Sequence, residues 1–132
     1  MTSVRRYLDE IKMRLVSSAC IGRIDVIAER AIQDRGYFRA RMVLTNGDFL
    51  EISEYFAVRK NEPETLEYRY QWMDSSRQRL IRRWDNARHF PELPNFPDHV
   101  HQGDEAQVIP GRSMGVLDLI DLIEREMGSR QR

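Results

Sequence analysis

Tyr7, Leu8, Ile11 and Leu15 recur on one side of a 3.6-residue period, and Arg5, Arg6, Asp9, Glu10, Lys12 and Arg14 fill the other side. That pattern predicts an amphipathic helix running to about Val16, capped by Ser3 or Thr2. From Ala19 to Ile32 the period changes to two. Ile24, Val26 and Ala28 alternate with Arg23, Asp25 and Ile27, as in a strand, and Asp34-Arg35-Gly36 reads as a turn. Two further alternating runs, Tyr37–Leu44 and Phe49–Phe56, flank Thr45-Asn46-Gly47-Asp48. Asn-Gly in that position predicts a hairpin with a type I′ turn, whose two central residues need positive φ. Phe38, Ala40, Met42 and Leu44 should then face a core, with Tyr37, Arg39, Arg41 and Val43 opposite. Glu51 and Glu54 come near enough to pair with Arg39 or Arg41.

Lys60–Glu64 reads as a loop. Leu66, Tyr68, Tyr70 and Trp72 alternate with Glu67, Arg69 and Gln71, and Asp74–Gln78 turns into a short strand, Arg79–Asp85. Pro91, Pro94, Pro97 and Pro110 make the next stretch a stiff, non-helical loop, because proline fixes φ and lacks a donor. A last helix, capped by Ser113, carries the apolar stripe Val116, Leu117, Ile120, Ile123 and Met127, with Gly128 at its C′ position. The fold expected is α+β over residues 1–132 as one domain. It is an antiparallel meander of about five strands with an N-terminal and a C-terminal helix packed on one face.

Composition narrows the class. With 41% hydrophobic and 32% charged residues, the chain is that of an ordinary globular protein. No apolar run approaches the roughly 20 residues needed to cross a bilayer, so no membrane role is expected. The N-terminal residues lack a signal-peptide pattern, and a lone cysteine, Cys20, suits a reducing cytoplasmic setting as a buried structural thiol. The net charge of zero conceals segregation: residues 77–88 hold five arginines and one acid. Arginine greatly outnumbers lysine. A GC-rich genome explains that most simply, and phosphate recognition by guanidinium forks is the sharper reading.

The chemistry gathers between Leu80 and His101, which contains all three histidines of the chain. His99-Val100-His101 has strand spacing, so both rings project to one side, with backbone origins about 6–7 Å apart at a rise of about 3.3 Å per residue. Such a pair can divide acid and base roles, or share a metal. His89 could join them, and Asp85 and Asp98 could orient a ring through its second nitrogen. A zinc reading is weak because there is no second cysteine and His-x-His alone is no known motif. No metal or other cofactor is expected. No phosphate-binding glycine loop or Gly-x-Ser-x-Gly elbow occurs. Arg77, Arg79, Arg82, Arg83 and Arg88 around Trp84 have the make-up of a nucleic-acid surface, with cations for phosphate and an aromatic for stacking. The same pattern also suits a solvated strand with the indole in the core.

Read together, these motifs resemble the TumE family of bacterial toxin–antitoxin proteins. The resemblance covers most of the chain. It rests on Tyr7-Leu8 with Ile11-Lys12, Ser53-Glu54-Tyr55, Tyr68 with Trp72, Arg83-Trp84-Asp85-Asn86-Ala87, His89 with Pro91-Glu92-Leu93, and Phe96-Pro97 with His99, His101 and Gly103. Where the family commonly has Pro-His-His after the alanine, this chain has Arg88-His89-Phe90, and Asp98 stands where another histidine is frequent. The resemblance implies a small cytoplasmic toxin neutralised by a cognate antitoxin, often one with a DNA-binding helix-turn-helix. By analogy with toxins of similar size, RNA is the expected target and a metal-independent ribonuclease the expected activity. His99 and His101 would act as acid and base in unassigned order. His89 would position phosphate, Arg83 would stabilise charge, and Asp85 would fix a ring, while Arg82, Arg83, Trp84 and Arg88 bind the nucleic acid. A homo-oligomer is compatible with this. The alternative from another class is a non-catalytic binder of a ribosomal or nucleic-acid target, its histidine loop structural. Convergence of the rings and an arginine in one open cleft favours the enzyme; burial against backbone carbonyls favours the binder.

Overall fold

The computed structural model describes residues 3–130, and the side chains of residues 3–128. Its first helix, α1 (Val4–Ser17), forms where the periodicity places it. Ser3 caps it, accepting the Arg6 N–H at 3.1 Å, and Val4, Tyr7, Leu8, Ile11 and Leu15 are buried. The alternative cap, Thr2, lies outside the described residues.

Seven strands follow: β1 (Ile21–Ile32), β2 (Arg35–Leu44), β3 (Phe49–Arg59), β4 (Glu62–Met73), β5 (Leu80–Asp85), β6 (His99–Gln102) and β7 (Val108–Pro110). They lie in one antiparallel sheet in chain order. The closing element is α2 (Val116–Arg130). The expectation of about five strands falls short by β6 and β7. Both are short, and Pro97 just before β6 and Pro110 within β7 obscure their alternation. Both helices bury their apolar faces against the sheet residues Phe38, Met42, Leu50, Ile52, Phe56, Tyr70 and Trp72. Arg14 ties α1 to α2, bonding Asp121 at 2.8 Å and Glu124 at 2.9 Å. Among the described residues no helix covers the opposite sheet face. β1 forms one sheet edge, bulged twice, with Ile32 69% exposed.

Turn chemistry differs from expectation in an instructive way. In the Asn46-Gly47 connection only Gly47 has positive φ, at 91°. The loop is four residues wide, and Asn46 accepts the Asp48 N–H at 2.9 Å. Asp48 in turn accepts the Trp72 indole N–H at 3.0 Å, a bond inside the core. The two-residue turn with both central φ values positive is Lys60-Asn61, at 52° and 64°, so the expected 60–64 loop is a type I′ hairpin. The first reversal falls at Gln33-Asp34, and Arg35 and Gly36 already belong to β2. Leu66 leaves the Tyr68 face because a bulge at Tyr55/Phe56 shifts the alternation of β4 and turns Thr65 inward.

That shift serves Glu54. Expected on the surface beside Arg39 or Arg41, it is fully buried; Glu51 alone makes those two ion pairs, at 3.0 and 2.9 Å. The Glu54 carboxylate accepts the Tyr7 hydroxyl at 2.9 Å, the Thr65 hydroxyl at 2.7 Å and the Val116 N–H at 3.0 Å. Glu54, rather than Ser113, therefore satisfies the first amide of α2, where a helix favours negative charge. A Cβ on Gly115 would stand 2.7 Å from the Tyr7 hydroxyl and 3.1 Å from Glu54, so only glycine admits this approach. Gly128, expected beyond the helix end, lies inside α2.

Burial pushes the Glu54 carboxyl above its ordinary value of 4.5, although its three donors pull the other way. A raised folded pKa means that the folded chain holds its proton more tightly than the unfolded one. Glu54 therefore favours folding most below pH 4.5, and that contribution is lost as pH rises through the raised value. Glu54→Gln should flatten the difference in thermal stability across that window, and a variant curve parallel to wild type would contradict the assignment. Glu54→Ala should cost about 3–5 kcal/mol in urea denaturation, because several buried donors lose their acceptor at about 1–3 kcal/mol each. A cost below about 1 kcal/mol would show the carboxylate to be dispensable.

Candidate functional site

Strand alternation decides which side chains meet on the uncovered face. In β5, Trp84 points to the helices while Arg83 and Asp85 point away; in β6, Val100 points in while His99 and His101 point out. The register sets Asp85 opposite His99 and Arg83 opposite His101. Four polar side chains thus occupy one patch of two strands, held by backbone pairing.

The distances within it are short. His99 Nε2 lies 2.9 Å from Asp85 Oδ1, and His101 Nε2 lies 3.8 Å from Asp85 Oδ2. Each ring is fixed from behind: His99 Nδ1 donates to the Pro97 carbonyl at 3.0 Å, and His101 Nδ1 to the Glu105 carbonyl at 2.9 Å. A carbonyl only accepts, so Nδ1 carries a proton in each ring and a neutral ring turns its Nε2 lone pair toward Asp85. The 2.9 Å approach of His99 Nε2 to Asp85 is not an aligned hydrogen bond, and that nitrogen is buried without a hydrogen-bond partner. Arg83 binds Asp85 through Nε at 3.3 Å and Glu105 through Nη2 at 2.6 Å. Its hydrogen bond with Glu105 raises the arginine pKa and holds the Glu105 carboxyl below the usual range. The Phe90 ring packs against both imidazoles, at centroid distances of 4.9 and 5.8 Å.

The segment from 86 to 98 forms the rim. Asn86 continues the pairing of β5 with β4 through its side chain, donating to the Leu66 carbonyl at 2.9 Å and accepting the Tyr68 N–H at 3.1 Å. Asp85 also accepts the Ala87 N–H at 3.0 Å. Tyr68 donates to Asp98 at 2.7 Å, and burial raises its pKa. Asp98 is therefore engaged by a tyrosine and does not orient a histidine. Gly111 passes so close to the His99 backbone that a Cβ there would stand 3.1 Å from it.

A cleft of about 980 Å³ opens in front of this patch. Tyr37, Tyr55 and Arg69 from the open sheet face line it, together with Arg83, Asp85, Arg88, His89 and His101. His99 does not line the cleft and is 2% exposed. The anticipated nucleic-acid surface is split by the sheet. Trp84 is 4% exposed in the core, where no base can stack on it, and Arg82 reaches Glu126 of α2 at 3.2 Å on the helix side. Arg83 and Arg88 remain on the cleft side, and Arg88 lies over the Phe96 ring at 4.8 Å. Tyr37, Tyr55 and Arg69 went unremarked as site residues, although their outward phase in β2, β3 and β4 was readable. Nothing local in the sequence marked Glu105.

Asp85, His99 and His101 can also be read as a donor set, since one ligand atom from each lies within 4.8 Å of the other two. Two helices backing a sheet whose bare face presents a polar, histidine-bearing cleft define a small α+β protein. A family model described as Toxin TumE matches residues 12–131, and the chain belongs to that toxin family. No curated protein and no solved structure matches it. Among the described residues, no helix is long and apolar enough to cross a membrane.

The two side-chain bonds of Asn86 make it the hinge post of the rim. Asn86→Ala should cost about 1–3 kcal/mol by leaving two backbone groups of β4 unpaired. It should also speed amide exchange at residues 87–98. Unchanged exchange in that segment would refute the role.

Proposed function

We propose that this toxin binds RNA in the cleft and cleaves it without a metal ion, and that a cognate antitoxin, as its family implies, restrains it. One observation carries the reading: His101, backed by Asp85 and Arg83, opens onto a cleft that also presents Arg69, Arg88, His89 and the rings of Tyr37 and Tyr55. Phosphate calls for guanidinium groups, and bases stack on accessible aromatic faces; Tyr37 and Tyr55 are half-buried and line the cleft. Cleavage then needs a base for the 2′-hydroxyl, an acid for the leaving 5′-oxygen, and positive charge beside the phosphorane.

His101 suits the base, since its Nδ1–H is held by a carbonyl and its Nε2 carries the lone pair. His89, exposed at the rim, suits the acid or a phosphate contact. Arg83, expected to stabilise charge, is already engaged by Glu105 and Asp85, so it positions the patch instead. Arg69, which donates to Gln71, and Arg88, which lies over Phe96, form no salt bridge among the described residues and supply the charge better. His99 lies behind the cleft, buried beside Asp85, and is not placed to act as acid or base.

A second reading has its own support. Both histidines are buried and tied to backbone carbonyls, as in a structural loop, which suits a toxin that binds its target without cutting it.

Induced expression should arrest bacterial growth, and the purified chain should cleave RNA in EDTA. His101→Ala should lower cleavage by about 10²–10⁴-fold, the usual contribution of a positioned acid or base. Arg88→Ala, an exposed change, should weaken RNA binding without lowering the melting temperature. If folded His101→Ala retains full toxicity while Arg88→Ala loses it, the binder is correct. If both keep wild-type toxicity, neither reading of the cleft survives.

A further inference from the structure

We propose that Asp85, His99 and His101 form a site for a divalent transition-metal ion, with Zn²⁺ as its reference ligand. Three independent features support it. The donors converge from two paired strands, within 4.8 Å of one another, so binding requires little rearrangement. In a tetrahedral zinc site, bonds of about 2.0–2.1 Å put neighbouring ligand atoms about 3.3 Å apart. The observed separations of 2.9 and 3.8 Å from the Asp85 oxygens to the two Nε2 atoms straddle that value.

The second feature is the support of the rings. Metal-bound histidine characteristically donates its other N–H to a carbonyl or carboxylate, which fixes the tautomer and aims the free nitrogen at the ion. Pro97 and Glu105 supply such carbonyls to His99 and His101 respectively. The third is the His99 Nε2 atom itself, buried in a residue 2% exposed, 2.9 Å from Asp85 Oδ1 yet without a hydrogen-bond partner. A buried polar atom without a partner is costly, and a cation would satisfy it.

Charge and donor type narrow the ion. Asp85 contributes one negative charge, and the nearby positive charge of Arg83 is offset by its pair with Glu105. Two imidazoles with one carboxylate suit zinc, copper, iron or nickel, whereas magnesium and calcium prefer oxygen ligands. Asp85 and His101 line the cleft, which gives an ion a way in, while Phe90 packs over the rings. Metal and proton compete for the same His101 lone pair. If the ribonuclease reading holds, the metal-free chain is the cleaving form and the ion blocks it; binding itself does not depend on that reading.

The test is titration of Zn²⁺ into the EDTA-treated, desalted full chain by calorimetry without RNA, alongside thermal melts. One ion should bind per chain and raise the melting temperature, while Mg²⁺ should not bind. Asp85→Asn and His99→Ala should each weaken binding at least tenfold, and Cys20→Ser, which removes the lone thiol, should leave it unchanged. Co²⁺ added to the wild-type chain should give the visible absorption of a tetrahedral site, a readout that needs no variant to fold. Absence of saturable binding, or binding that persists in folded His99→Ala or vanishes in Cys20→Ser, overturns the site. Zn²⁺ that binds as described while RNA cleavage continues undiminished leaves the site standing and refutes His101 as the base.

Discussion

Glu54 joins four elements through one carboxylate. It stands in β3, bonds α1 through Tyr7 and β4 through Thr65, and ends the first turn of α2 through Val116. A charge taken out of water must be compensated by donors, and once it is, no donor can be withdrawn cheaply. The position of each helix over the sheet is therefore coupled to the other. The bulge in β4 that turns Thr65 inward and the bare Cα of Gly115 follow from the same need. The helix layer being fixed this way, the far sheet face stays uncovered and free to hold the cleft.

The parts of this fold governed by local period were legible. The buried stripe of α1, the inward set Phe38, Ala40, Met42 and Leu44, and the apolar stripe of α2 all follow from 3.6- or two-residue spacing. What escaped depends on partners distant in sequence. Glu54 has the same outward look as Glu51 on paper, and only the hydroxyls and the helix end brought to it by tertiary packing make the core its place. The hairpin turns show a related limit. Asn46-Gly47 has the strongest local signal for type I′, yet Asp48 is needed to receive the Trp72 indole, and that bond accompanies a wider loop. Lys60-Asn61 adopts the tight turn with much weaker chemistry.

In the cleft, the projection of His99 and His101 to one side was readable from their spacing, and so was Asp85 as their companion. The phase of β5 was the missing quantity. A strand that carries Arg82, Arg83, Trp84 and Asp85 must send two of them to each face, and sequence alone did not say which two. The indole followed the hydrophobic effect into the core. Depth was also hidden: two residues apart on one strand, His101 borders the cleft and His99 sits behind it.

The order of the sheet bears on synthesis. Each strand pairs with its immediate predecessor, so a chain leaving the ribosome can lay the sheet from β1 onward without waiting for distant segments. The exceptions are concentrated at the end. Asp85 emerges before the two histidines that face it, and Glu54 waits for Val116 until nearly the whole protein has been made. A chain interrupted before β6 would hold its arginines and tyrosines on a half-built sheet, with no imidazole beside Asp85. On the proposed reading of the cleft, topology alone makes an unfinished copy harmless.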